Sequence, residues 1–243
     1  MKVQCQIRRV AWLDEEDKRV LKTQIRYLKF VDPVPSQCKS PITFDMLSRI
    51  SSSLDKSKLK DARLLALTWM AYEGALRVDE LLGGRRRHDI NWNSNLSAFT
   101  LLLRRTKTHR VGDPLRVEYT EATGHCAVKY VRNWFQLTKL GNAPSRTLLF
   151  PSANRLKTMS STWFRTQVKR LVANIGLQSA QFSTHSFRAG LATDLFVADT
   201  PLQTVQWAGR WRSLCALIYY RSNVDRHQKV ANAIQAVRQA HAR

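Results

Sequence analysis

Apolar positions along the chain fall mostly at helical spacing, with one short stretch that alternates. Residues 12–30, WLDEEDKRVLKTQIRYLKF, predict a helix whose acidic run Asp14–Asp17 sits in the first turn, where the helix dipole favours anions. VDPVPSQCKSP follows and reads as an extended linker, so a boundary is expected near residue 40. Thr43 is a candidate cap for a helix through Phe44, Leu47 and Ile50. A helix over 58–73 carries Leu64, Leu65, Leu67 and Trp69 as a broad apolar surface. After Arg77 the text becomes strand-like: residues 97–105 and 114–120 flank THRVGD and predict a β-hairpin with a basic tip. Helical spacing resumes over 125–138 and 160–175, the latter with Ser160 or Ser161 as cap and Gly176 just past its end. From His185 onward the pattern predicts short helices at 185–197, 201–208, 214–221 and 224–241, with Pro201 in a first helical turn. The expected fold is mainly α with a small antiparallel β-sheet or hairpin, an α+β class.

Composition narrows the function. The 243 residues are 44% hydrophobic, with seven Trp and nine Phe, enough for a core of ordinary size. No apolar run reaches the roughly 18 residues of a membrane span, and MKVQCQIRRV lacks the apolar segment of a signal peptide. Cys5, Cys38, Cys126 and Cys215 form no CxxC pair, which argues against a zinc site and suits a reducing compartment. Charge changes the picture most. Forty Lys and Arg against 18 Asp and Glu leave a net +22 spread along the chain, so a polyanion is the expected partner.

Several residue sets then suggest phosphate chemistry. In His185-Ser-Phe-Arg188, a helix would place imidazole and guanidinium on one face, a proton-transfer group beside a bidentate phosphate clamp. Gly209-Arg210-Trp211-Arg-Ser213 and Tyr219-Tyr220-Arg221 follow. An indole offers a donor and a large apolar wall, and a tyrosine hydroxyl can attack phosphorus if cations stabilise the developing charge. Upstream, Arg77 precedes Glu80 by three, as a phosphate clamp steadied by a carboxylate or as an ordinary surface pair. Lys107, within Arg104-Arg105-Thr-Lys107-Thr-His-Arg110 of the hairpin, is a candidate general acid or part of a solvated basic loop. Singly, each set also has a structural reading.

The order Arg, hairpin Lys, HxxR, GxW, Tyr resembles the tyrosine recombinase (phage integrase) family, from Pro41-Ile-Thr-Phe-Asp-Met-Leu47 to the end. The wording His185-Ser-Phe-Arg-Ala-Gly-Leu-Ala-Thr193 and Gly-Arg-Trp-Arg-Ser213 is most similar to the recombinases of DIRS-type retrotransposons. The resemblance implies a catalytic domain over 41–243 of the type shared with type IB topoisomerases. Residues 1–40 would then be a helix and linker left from a core-binding domain. It implies that Arg77 and Arg188 grip the scissile phosphate, Lys107 protonates the leaving 5′ oxygen, His185 transfers a proton, and Trp211 donates to the phosphate. Glu80 would support Arg77. Tyr219 would form a 3′-phosphotyrosyl enzyme, with the adjacent Tyr220 as the alternative nucleophile. Arg104, Arg105, Arg110 and Arg210 are further expected DNA contacts. No metal or cofactor is expected, since two Arg, a Lys and a His supply the charge a metal would bring. Double-stranded DNA is the implied partner, with self-association on it and no membrane. A eukaryotic element would place the protein in the nucleus, otherwise in the cytoplasm or nucleoid. The recombinase reading stands beside two others: a topoisomerase-like nicking and closing enzyme, and a catalytically idle DNA-binding protein.

Overall fold

The structure, a computed structural model, describes residues 39–104, 115–152, 157–211, 217 and 219. Expectations for the helices at 12–30 and 224–241, for the hairpin tip, and for Lys107, Arg105, Arg110 and Tyr220 lie outside those residues.

The elements run α1 (Phe44–Ser52), α2 (Leu59–Glu73), α3 (Val78–Leu82), β1 (Ile90–Trp92), β2 (Ala98–Leu103), β3 (Leu115–Thr120), α4 (Ala127–Thr138), α5 (Ser161–Asn174), α6 (Ser186–Val197) and α7 (Leu202–Gly209), with three short 3₁₀ turns between them. Leu217 and Tyr219 are also helical. Thr43 caps α1 by accepting from the Met46 N–H, and Ser160, rather than Ser161, caps α5 by accepting from Trp163. Gly176 follows α5 with φ +82°, a conformation that only glycine adopts without strain. Pro201 stands one residue before the first turn of α7, not inside it.

Helix α2 is the centre of the core. Leu64 to Tyr72 are buried on every face, which is why the sequence there is apolar all round rather than striped. Within that buried stretch the Thr68 hydroxyl donates to the Leu64 carbonyl and the Trp69 indole donates to Ser51 Oγ, each at 2.8 Å. Helices α1, α4 and α6 and the sheet close around it.

The sheet contains the expected hairpin and adds one strand to it. It has three antiparallel strands in the order β1-β2-β3, with Ile90 opposite Leu101 and Leu101 opposite Val117. β1 is only three residues long and shows no alternation to read. Val78–Leu82, expected as strand-like, is helical. Its entry is set by Glu80, whose Oε2 accepts from the Arg77 backbone N–H at 3.0 Å, the reach-back half of a capping box.

Helix α6 is fixed tightly against α1 and α2. The Ile42 N–H donates to the Ser186 carbonyl at 2.9 Å, and the Ile42 backbone crosses α6 so closely that a Cβ on Gly190 would overlap the Ile42 carbonyl. Asp194 accepts from the Phe44 N–H at 2.7 Å and from the Tyr72 hydroxyl at 2.5 Å, tying the far end of α6 to both helices. Helix α6, with His185 at its start and Arg188 in its first turn, is therefore held by a backbone bond at one end and charge-assisted bonds at the other. A smaller apolar cluster of Ala192, Phe196 and Val205 joins α6 to α7, and Trp211, Leu217 and Tyr219 pack against it.

Candidate active site

Two chain reversals face each other across the site. The first follows α2. Ala75 takes the left-handed conformation, φ 43°, and turns the chain into Arg77, the N-cap of α3. The second ends α7. Arg210 is left-handed, φ 55°, its N–H donating to Trp207 O at 3.0 Å and that of Trp211 to Gln206 O at 2.9 Å. That is a Schellman closure with arginine where glycine is usual. A non-glycine residue there costs about 1–2 kcal/mol, so neighbouring contacts must hold it.

Arg210 supplies those contacts itself. Nη1 donates to Gly74 O at 2.8 Å, and Nη2 donates to Ala75 O at 3.1 Å and to Glu80 Oε2 at 2.9 Å. Read in the sequence as a DNA contact, Arg210 instead points into the protein and locks the second turn onto the first. Glu80 is the shared partner. Its Oε1 accepts from Arg77 Nη1 at 2.7 Å, and the carboxylate is almost fully buried. Burial drives the Glu80 carboxyl up, but the Arg77 N–H bond and then the Arg210 and Arg77 charges outweigh it and hold it below its ordinary value.

Arg188, also buried, reaches both turns. Nη1 donates to Ala75 O at 2.6 Å and Nη2 donates to Gly209 O. Its guanidinium carbon lies 4.5 Å from the Trp211 ring centroid, a cation–π arrangement. Burial first, then the charges of Arg77 and Arg210, bring its pKa down to about 10, so it remains a cation at neutral pH. The stacking is possible because residue 209 is glycine: a Cβ there would overlap the six-membered ring of Trp211.

His185 and Tyr219 complete the group. His185 Nε2 and the Tyr219 hydroxyl lie 2.7 Å apart, and the Trp211 and Tyr219 ring centroids are separated by 5.5 Å. His185 is open to solvent on one side, yet loss of hydration, then Arg188, then Arg77, lowers its pKa below the ordinary imidazole value. The neutral ring can therefore accept the tyrosine proton. Arg77, His185, Arg188, Trp211 and Tyr219 are thus brought together, with Glu80 bonded to Arg77. Arg104 lies apart from them, its Nε bonded to Asp89 Oδ1 at 2.9 Å. The local sequence did not mark the inward role of Arg210, since the adjacent Gly209 is the residue a helix end would be expected to use. Among the described residues no three His, Cys, Asp or Glu side chains gather as a metal site, and no helix is long and apolar enough to cross a membrane.

The guanidinium groups of Arg77 and Arg188, an imidazole and a tyrosine hydroxyl gather at one place in a helical domain with a small sheet, a set of groups suited to phosphate chemistry. The chain belongs to the phage integrase family, which residues 41–227 match. It is 24% identical over 182 residues to an integrase/recombinase xerD homolog of Selenomonas ruminantium, covering 72% of this chain and 51% of the relative. It therefore spans about half the length of that protein. Among solved structures its fold is similar to XerH site-specific recombinase bound to palindromic difH substrate in a post-cleavage complex. The TM-score is 0.61 at 20% identity, over 82% of this chain and 54% of the other. XerA recombinase gives a TM-score of 0.58 at 18% identity over 85% and 65%. The Tn1549 transposon integrase with transposon right end DNA gives 0.58 at 17% over 92% and 80%. The nearer likeness to DIRS-type recombinases rests on the motif wording alone.

Proposed function

We propose that this chain is the catalytic domain, residues 41–243, of a site-specific recombinase that cuts and rejoins duplex DNA for a mobile element. The observation that carries the reading is the 2.7 Å pairing of Tyr219 Oη with His185 Nε2 beside Arg188 and Trp211. The hydroxyl proton passes to neutral His185 as the Tyr219 oxygen attacks phosphorus. A P–O bond to the 5′ oxygen breaks, and Lys107 protonates that oxygen. Arg77 and Arg188 offset the charge on the non-bridging oxygens. The product is a 3′-phosphotyrosyl enzyme, and a 5′-hydroxyl from a partner strand reverses the step, so no cofactor is consumed. Arg188 is only 1% exposed and lies against the Trp211 ring, so its contact with a phosphate requires that indole to shift as DNA enters.

DNA as substrate is supported by the net +22 charge and by the DNA complexes of XerH and the Tn1549 integrase. The latter also supports a mobile element. Self-association on DNA belongs to the same reading, as does residence in the nucleus for a eukaryotic element or the nucleoid otherwise.

The test is a trap. The protein is incubated in EDTA with a nicked, labelled duplex from an element terminus, and a covalent adduct is sought on a denaturing gel. Adduct mapped to Tyr219 and absent in Tyr219→Phe, with binding retained, is the expected result. Adduct mapped to Tyr220 moves the nucleophile by one residue. Tight binding without adduct overturns the enzymatic reading in favour of an idle DNA-binding protein.

A further inference from the structure

Because Ile90 pairs with Leu101, the start of β1 and the end of β2 share one end of the sheet. Arg104 follows β2 there, and Arg85 and Arg86 precede β1. The isolated bridge between Arg86 and Leu148 brings Arg146 to the same place. With Gly84 and Asp89 these residues line an open pocket of about 570 Å³.

Its charge is unbalanced. Four guanidinium groups meet one carboxylate. Asp89 is already engaged, accepting from Arg104 Nε and from the Arg86 backbone N–H, both at 2.9 Å. Arg85 is buried and spent on two carbonyls, Glu80 O at 2.9 Å and Leu102 O at 3.1 Å. Arg86 gives Nη1 to the Arg146 carbonyl. The bond of Arg104 uses Nε and leaves both Nη groups without a partner among the described residues, and the Arg146 side chain is exposed with none there. Such a set repels itself unless an anion enters, and guanidinium forks suit the oxygens of a phosphate.

Position indicates which phosphate. Glu80 touches both places: its carboxylate holds Arg77, and its backbone carbonyl holds Arg85. Between them runs α3, five residues long, about 7–8 Å of helix. That is of the order of the separation between backbone phosphates one or two nucleotides apart on a DNA strand, whose rise along the axis is about 3.4 Å per nucleotide. The chain also leaves Arg104 directly into the segment that carries Lys107.

We propose that this pocket is a second phosphate-binding subsite, taking a non-scissile backbone phosphate of the same DNA strand a few nucleotides from the one held by Arg77. Arg86 and Arg146, to which the sequence assigned no role, are its principal ligands together with Arg104. The inference rests on the recombinase reading for its choice of DNA.

The experiment uses the full chain and the nicked duplex of the trap, unmodified or with a single neutral methylphosphonate placed in turn at each position flanking the nick. Affinity is measured at several salt concentrations, and adduct yield at saturating DNA. Wild type should lose about three- to tenfold in affinity at one flanking position. Arg86→Gln with Arg146→Gln should lower the slope of log affinity against log salt by about one to two. The same pair should be indifferent to methylphosphonate at that position and keep wild-type adduct yield at saturation. Arg86→Lys with Arg146→Lys should restore the slope, which separates lost charge from lost fold. A glutamine pair with wild-type slope and wild-type methylphosphonate profile overturns the subsite. A wild type that shows the positional profile but forms no adduct leaves the subsite standing and removes the cleavage reading instead.

Discussion

Glu80 and Arg210 stand 130 positions apart in the chain and form a 2.9 Å ion pair that is nearly sealed from solvent. Through it the turn that ends α7 is bonded to the turn that presents Arg77. Arg210 is thus a positioning residue, acting on Arg77, the proposed phosphate clamp, by way of Glu80 and on Tyr219 by way of Trp211. Arg210→Ala should destabilise the protein by about 2–4 kcal/mol, since it leaves a buried carboxylate half-paired and the Gly74 carbonyl unbonded, while Ala75 O keeps its bond from Arg188. Cleavage at saturating DNA should fall at least tenfold while DNA affinity changes by less than threefold. Coupling should show in a double-mutant cycle: with Glu80→Gln already present, removing Arg210 should cost at least 1 kcal/mol less in denaturant unfolding. Strict additivity would mean that the two residues act separately.

Gly209 is the second point where local geometry governs chemistry. Any Cβ there displaces the Trp211 ring, which stacks on Arg188 and packs beside Tyr219. Gly209→Ala should reduce phosphotyrosyl adduct about a hundredfold and leave binding within a few-fold. If the effect runs through the indole, it should vanish in a Trp211→Ala background. An equal loss in both backgrounds would place the cause in the helix end instead.

These two positions show what the sequence could and could not disclose. Arg77, His185, Arg188, Trp211 and Tyr219 were legible because their order and spacing mark them, and the helical periodicity placed α2, α4, α5 and α6 within a residue or two. β1 was not legible, since three residues cannot display alternation, and α3 is too short to show a helical stripe. Arg210 was misjudged for a different reason. In a chain with forty Lys and Arg, nothing in composition tells an inward arginine from one that meets DNA. Only the carbonyls of Gly74 and Ala75, presented by a left-handed residue, decide it.

His185 gives a pH dependence. Its imidazole is held below the ordinary value near 6.5 by lost hydration and the Arg188 and Arg77 charges, so it is neutral at pH 7. Cleavage measured across pH should rise on an acid limb whose midpoint lies below 6.5 in the free protein, as the ring loses its proton and becomes able to accept that of Tyr219. A bound phosphate offsets the arginine charges, so the imidazole titration followed by NMR should move upward on adding DNA. A midpoint above 6.5 without DNA would contradict the electrostatic account of the site.

Glu73 gives a second pH dependence, of stability rather than chemistry. It ends α2 one residue before the turn that carries Arg77 into place, and its Oε1 accepts from the Ala127 N–H at 2.8 Å, bonding α2 to the first turn of α4. Burial raises its pKa to about 7, and the Ala127 bond only partly opposes this. The folded protein therefore holds the Glu73 proton more tightly than the unfolded chain does. The resulting stability is present in full below the unfolded value near 4.5 and is lost as pH rises toward 7. Glu73→Gln keeps an oxygen for the Ala127 N–H and removes the charge. It should unfold at higher denaturant than wild type at pH 8, by on the order of 2–3 kcal/mol, with the gap closing by pH 5. Denaturation at the two pH values checks both halves. A gap of the same size at both would show that the gain comes from packing, and that the carboxylate is not strained by its burial at the foot of the site.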